Sequence, residues 1–213
     1  MKIAVLISGR GSNLQALIDA AQSPGFPAEI ALVISNVAGV EGLARAARAG
    51  IATKVVDHKT FAGRGPFEDA LHDALIQAGV ELVCLAGFMR LLTEGFVNRW
   101  HDKLINIHPS LLPAFKGLDT HERAIAAGVR FGGCTVHFVR PAMDDGPILV
   151  QAAVPVRQDD TAETLSARVL VQEHRIYPLA VKLIAEGRVR VEGARVIVAD
   201  AEAPADAMVN PSK

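Results

Sequence analysis

Short apolar runs alternating with helix-patterned stretches constrain this chain more than any other feature. Lys2–Ile7 (KIAVLI), Glu29–Ser35, Ile51–Val56, Glu81–Ala86 (ELVCLA) and Leu104–Ile107 each read as a strand. They lack the in–out alternation of half-exposed strands, so they fit burial on both faces. Helical patterns lie between them. One runs from a Ser12 or Asn13 cap to about Ala21, with Leu14, Leu17 and Ile18 on one face. Another covers Gly42–Ala49 and stops at Gly50. A third opens at Pro66, after a polar loop over Asp57–Gly65, and ends near Ala78, and a short one spans Glu94–Trp100. This alternation predicts an α/β architecture: a Rossmann-like, doubly wound, mostly parallel sheet with helices on both faces.

The pattern changes after a helix capped by Asp119 or Thr120 and ending near Gly128. Cys134–Val139 and Ile148–Val156 read as two longer strands joined by Arg140–Pro147, with no helix between them, so they are expected to pair antiparallel. Thr161–Glu186 reads as one long helix, with Pro178 a point where it could kink. Arg188–Val198 reads as a small hairpin about Gly193. With no repeat and no linker, residues 1–198 are expected to form a single domain, followed by a frayed Ala-, Pro- and Asp-rich tail over 199–213.

Ligands on such sheets sit at the carboxyl ends of strands. The fifth strand ends in LINIHPSLLPAFK, residues 104–116, where Asn106 and His108 are spaced i, i+2 and so share one face. An amide can donate to a developing oxyanion, and an imidazole can pass a proton near neutral pH. Pro109 and Pro113 stiffen the loop that follows. The same residues also read as an ordinary strand end with a surface histidine, and local sequence does not separate the two.

Composition excludes several classes. Half of the 213 residues are apolar, the net charge is −1, and Lys and Arg are scattered, so no broad basic surface for nucleic acid is expected. No apolar run approaches the roughly 18 residues of a membrane span, and Ile3–Ile7 is too short for a signal-peptide core. Cys84 and Cys134 form neither a C-x-x-C pair nor a disulfide framework, which suits a reducing cytoplasm.

Other stretches carry weaker signals. Gly9–Asn13 follows the first strand and would aim backbone amides of a helix start at an anion, although a plain strand-to-helix turn explains it too. It is not a dinucleotide fingerprint, because Leu14 stands where a small residue is needed and Ser35-Asn36 offers no acid for a ribose hydroxyl. Asp144 and Asp145 are either a solvated turn or a carboxylate placed beside His108 to favour its charged form. His108, His121 and His137 lack metal-ligand spacing, so no metal is expected, and His137 reads as a packed or supporting side chain. Met89-Arg90-Leu91-Leu92 reads slightly better as a helix start than as a pocket wall.

GRGSN, AGFMRLL, NIHPSLLPAFKG, HFV…MDDGP and QEHRIYP together, from about Met1 to Val198, resemble the phosphoribosylglycinamide formyltransferases. The Asn-x-His-Pro-Ser-Leu-Leu-Pro stretch is typical of enzymes that use 10-formyltetrahydrofolate. The Gly-Ser-Asn turn and the short length favour the glycinamide branch over methionyl-tRNA formyltransferase and formyltetrahydrofolate hydrolase. The resemblance implies the formyltransferase fold, a cytoplasmic enzyme of purine biosynthesis, no metal, no nucleic-acid or membrane partner, and a monomer or homodimer. It implies that Asn106, His108 and Asp144 are catalytic. Gly11, Ser12, Asn13 and Glu173 would hold glycinamide ribonucleotide. Arg64, Met89, Arg90, Leu91, Leu92, Asn106, Arg140, Met143 and Asp144 would contact the folate. Direct attack of the substrate amine on the formyl carbon follows, with no covalent enzyme intermediate.

This sequence departs from the relatives' pattern at Asp145, where many have a small residue, and at Arg140-Pro141, which stiffens the loop beside it. Leu170 lies in a segment that touches the ribonucleotide in some relatives. Two rivals stay open: hydrolysis of formyltetrahydrofolate, with water replacing the amine, and a non-catalytic nucleotide-binding module.

Overall fold

The computed structural model describes residues 1–211. In chain order the elements are β1 (Lys2–Ile7), α1 (Ser12–Ala21), β2 (Glu29–Ser35), α2 (Glu41–Arg48), β3 (Thr53–Val55), α3 (Arg64–Gln77), β4 (Leu82–Leu85), α4 (Glu94–Arg99) and β5 (Leu104–His108). They continue with α5 (Thr120–Ala126), β6 (Phe131–Phe138), β7 (Ile148–Pro155), α6 (Ala162–Ala185), β8 (Val189–Glu192) and β9 (Arg195–Val198). The main sheet has seven strands in the order β3-β2-β1-β4-β5-β6-β7. β1 to β5 run parallel and β6–β7 is antiparallel, as the sequence pattern predicts, while β5–β6 is antiparallel as well. β8 and β9 form a separate hairpin.

Alternate residues of β1 feed two cores. Ile3, Val5 and Ile7 join Leu14, Leu17 and Ile18 of α1 and Ile176, Tyr177 and Val181 of α6 on one face. Ala4 and Leu6 join Phe67, Leu71 and Leu75 of α3 and Phe96 and Val97 of α4 on the other. Burial on both faces is why β1 reads as a continuous apolar run. Strand order reverses between β1 and β4, so the crevice that receives ligands in such sheets opens at their carboxyl ends.

The local differences from expectation have physical causes. Neither Ser12 nor Asn13 caps α1; Gly11 does, at φ 71°, with no side-chain cap. A Cβ on Gly11 would lie 2.8 Å from the Gly42 Cα, so the turn is pressed against α2. α3 starts at Arg64 rather than Pro66, because proline is tolerated anywhere in the first turn, where its missing N–H has no helical partner. β3 is three exposed residues instead of six, as an edge strand can be. β6 begins at Phe131, three residues earlier than expected. Gly132-Gly133 conceals the strand in sequence, yet a Cβ on Gly133 would sit 2.1 Å from the Ala152 carbonyl oxygen. α6 is capped by a Thr161–Thr164 capping box and continues through Pro178. Residues 199–211 form neither helix nor strand, but the Asn210 amide donates to the Arg130 and Val156 carbonyls at 2.6 and 3.0 Å. The last two residues of the expected tail lie outside those described. Among the described residues no helix is long and apolar enough to cross a membrane.

Candidate active site

β5 carries Asn106 and His108 to its carboxyl end, and both line a cavity of about 880 Å³. Asn106 pairs across the sheet with His137 of β6. The Asn106 Nδ2 lies 3.3 Å from His137 Nε2, and His137 Nδ1 lies 3.0 Å from the Phe138 carbonyl oxygen. Only Nδ1–H can serve that carbonyl, which leaves Nε2 to accept from the amide. Burial, the dominant cause, lowers the His137 pKa and so favours this neutral form. The Asn106 amide is thereby oriented and keeps one N–H free.

His108, only 6% exposed, is held at both ring nitrogens. Nδ1 lies 3.5 Å from an Asp144 carboxylate oxygen, and Nε2 lies 3.0 Å from the Phe115 carbonyl. Asp144 also accepts from the Gly117 N–H at 2.9 Å, and its other oxygen lies 3.9 Å from His137 Nε2. One carboxylate therefore joins the β6–β7 connection to the loop after β5. Phe115 and Asp144 are both left-handed, at φ 52° and 51°. Asp145 faces away from this cluster and pairs with Lys116 at the surface. It makes none of the contacts that Asp144 makes with His108, Gly117 and His137. Asp145→Ala is expected to change turnover by less than about threefold, since exposed ion pairs contribute little; a larger loss in steady-state assays would contradict this.

The remaining predicted residues divide. Met89, Arg90, Leu91 and Leu92 line the cavity from a loop between β4 and α4, so the helix-start reading is corrected: α4 begins after Thr93, whose hydroxyl caps it. Arg140 and Met143 also line it, although the Arg140 guanidinium bonds to Asp102 at 2.5 Å. Asn13 of α1 reaches the cavity and donates to Glu173 of α6 at 2.6 Å. Glu173 is 8% exposed, and burial raises its pKa. Gly11 and Ser12 form the adjacent turn behind Asn13 and are not on the cavity wall. Arg64 is also off the wall: the expected polar loop ends in the first turn of α3, leaving Arg64 exposed.

Sequence reasoning left out His137 as a site residue, together with the Phe115 carbonyl and the Gly117 amide. The alternation of His137 along β6 was its only signal, and the cross-strand register with Asn106 gives it meaning. His121 also lines the cavity; burial, then His108, lowers its pKa. Burial likewise lowers that of His174. Among the described residues no group of three or more His, Cys, Asp or Glu could hold a metal ion. Cys84 and Cys134 are free and buried, and burial pushes each thiol up to about 12, so neither is a ready nucleophile.

The lowered histidines set a pH dependence. Below their ordinary value of 6.5 the unfolded chain takes up protons that the folded chain refuses. Their contribution to stability is therefore complete above that pH and declines on acidification. Glu173, raised by burial, acts in the opposite sense. The test is the difference between wild type and His137→Gln, which keeps an acceptor for Asn106. In urea unfolding from about pH 7.5 to 5.5, the variant is expected to lose less stability than wild type. An equal or greater loss would refute the linkage.

The class is given by the sequence profile described as formyl transferase, which matches residues 1–181. Phosphoribosylglycinamide formyltransferase of Haemophilus influenzae is 49% identical over 191 residues, 90% of each chain. The solved structure of glycinamide ribonucleotide transformylase 1 from Symbiobacterium toebii superimposes with a TM-score of 0.91 at 48% identity, covering 93% of each chain. Trifunctional purine biosynthetic protein adenosine-3 of Gallus gallus is 55% identical over 191 residues; this chain spans only 19% of that protein's length. The chain belongs to the formyl transferase family, in its phosphoribosylglycinamide formyltransferase branch.

Proposed function

We propose that this chain transfers the formyl group of 10-formyltetrahydrofolate to the amine of glycinamide ribonucleotide in purine biosynthesis. The observation that carries this reading is the grouping of Asn106, His108 and Asp144 on the wall of one large cavity. The family membership supports the same reaction.

In this reading, Met89–Leu92, Arg140 and Met143 contact the folate, and Asn13 and Glu173 hold the ribonucleotide. Gly11 and Ser12 offer uncapped backbone N–H groups of α1 to its phosphate. The amine attacks the formyl carbon, and the carbonyl π-electrons move onto oxygen. The free Asn106 N–H and a His108 N–H donate to that oxyanion. Asp144 stabilises the imidazole while it carries positive charge. Collapse of the intermediate breaks the bond to the folate nitrogen, which takes up the proton lost by the amine. His108 and Asp144 are the groups placed to move it. Both thiols stay out of this chemistry. Their reduced, buried state fits a cytoplasmic location.

The test is folate turnover with and without the ribonucleotide. Turnover that depends on the ribonucleotide, with formylated product, is expected. Turnover without it would assign hydrolysis instead, and binding of the ribonucleotide with no turnover would favour a binding module.

A further inference from the structure

Six consecutive residues, Gly87 to Leu92, line the cavity, yet among the described residues no backbone–backbone hydrogen bond holds them. They span the crevice side of the sheet, where strand order reverses between β1 and β4. Phe88 and Leu92 pack against the second core, but Met89 and Leu91 are 67% and 61% exposed, so apolar packing does not fix these two.

Two side chains from other elements supply what the backbone lacks. Ser8, just after β1, donates its hydroxyl to Asn36 Oδ1 at 2.5 Å and accepts the Met89 N–H at 2.8 Å. A hydroxyl has a single hydrogen. Once Asn36, 2% exposed beyond β2, takes it, the remaining lone pairs are free for Met89. At the other end of the loop, Glu68 of α3 accepts from the Thr93 N–H at 2.7 Å with one oxygen and from the Thr93 hydroxyl with the other. Glu68 is 4% exposed, and no basic side chain pairs with it among the described residues. A buried carboxylate without a cation is costly unless strong hydrogen bonds satisfy it. Glu68 gives both oxygens to the residue that ends this loop and begins α4.

We propose that Ser8 and Glu68 are positioning residues that clamp the two ends of the 87–92 wall and so set affinity for the folate rather than the rate of formyl transfer. The assignment of this wall to the folate rests on the functional reading above; the clamp itself rests on the hydrogen bonds alone.

Ser8→Ala and Glu68→Gln separate the possibilities, with thermal unfolding used to verify that each folds. The folate KM is expected to rise about three- to tenfold in each, the range of one lost hydrogen bond, with kcat and the ribonucleotide KM within about twofold of wild type. Independently of any substrate, the Met89 amide is expected to exchange its hydrogen faster in Ser8→Ala than in wild type. An unchanged folate KM, an equal rise in both KM values, or a fall in kcat at constant KM would overturn the proposal, as would unchanged Met89 exchange. If wild type turns over neither substrate, the functional reading falls, and Met89 exchange still decides whether the clamp exists.

Discussion

Asn106→Ala and His108→Ala are each expected to lower kcat by about 10²–10³ while leaving the fold intact, the usual consequence of deleting one preorganised donor to an oxyanion. Neither residue belongs to the apolar cores, and the β5–β6 pairing that carries Asn106 runs through the backbone, so a truncated side chain keeps the ladder. The effects should differ in character. His108→Ala removes a donor and a proton carrier together and leaves Asp144 with the Gly117 N–H and distant His137. Asn106→Ala removes only a donor, and His137 Nε2 loses its partner. With both groups acting on one oxygen, as proposed, the double variant should lose less than the product of the two single losses. Steady-state kinetics with circular dichroism would measure this. Near-normal turnover in either single variant would remove that residue from the chemistry.

Gly146→Ala is expected to fail in the opposite way, through stability. A Cβ there would lie 1.6 Å from the Phe138 carbonyl oxygen and 2.8 Å from its carbon, contacts with backbone that no rotamer change relieves. Phe138 in turn donates its N–H to the Pro147 carbonyl at 2.9 Å, closing the base of the loop that presents Asp144. The alanine must force that base apart or displace β6. A loss of roughly 3 kcal/mol or more in urea unfolding is expected, at the upper end for overpacking. Activity should fall with it, because the carboxylate beside His108 moves. Stability within about 1 kcal/mol of wild type would show that the loop yields easily and that its closure does not place Asp144.

The two kinds of variant also mark what the sequence could reveal. β1, β2, β4 and β5 were legible because a strand buried on both faces must be apolar throughout. The i, i+2 spacing of Asn106 and His108 was legible because strand geometry dictates which residues share a face. The nearness of Asp144 to His108 was one of two open readings of the Asp144-Asp145 turn, and only resemblance chose between them, since 36 positions of chain separate the two residues and no local rule spans that gap. His137 needed the β5–β6 register, which no local pattern specifies. The Phe115 carbonyl and the Gly117 amide have no side-chain signature at all. Arg64 shows the converse case, in which a family pattern falls on a side chain that the local helix start leaves exposed and off the cavity wall.

The Phe115 carbonyl has a consequence for selectivity. It already accepts from His108 Nε2 at 3.0 Å, so under the proposed mechanism an oxygen that used this N–H would have to displace it. Binding there is an exchange of acceptors. A neutral formyl oxygen competes with a neutral peptide oxygen on nearly equal terms and gains little from His108. Once negative charge collects on that oxygen the contest becomes unequal, because a charged acceptor forms the stronger bond. In the proposed mechanism the loop after β5 would thereby hold back this donor until the carbonyl has begun to turn tetrahedral, which is how a group can lower a barrier without tightening substrate binding.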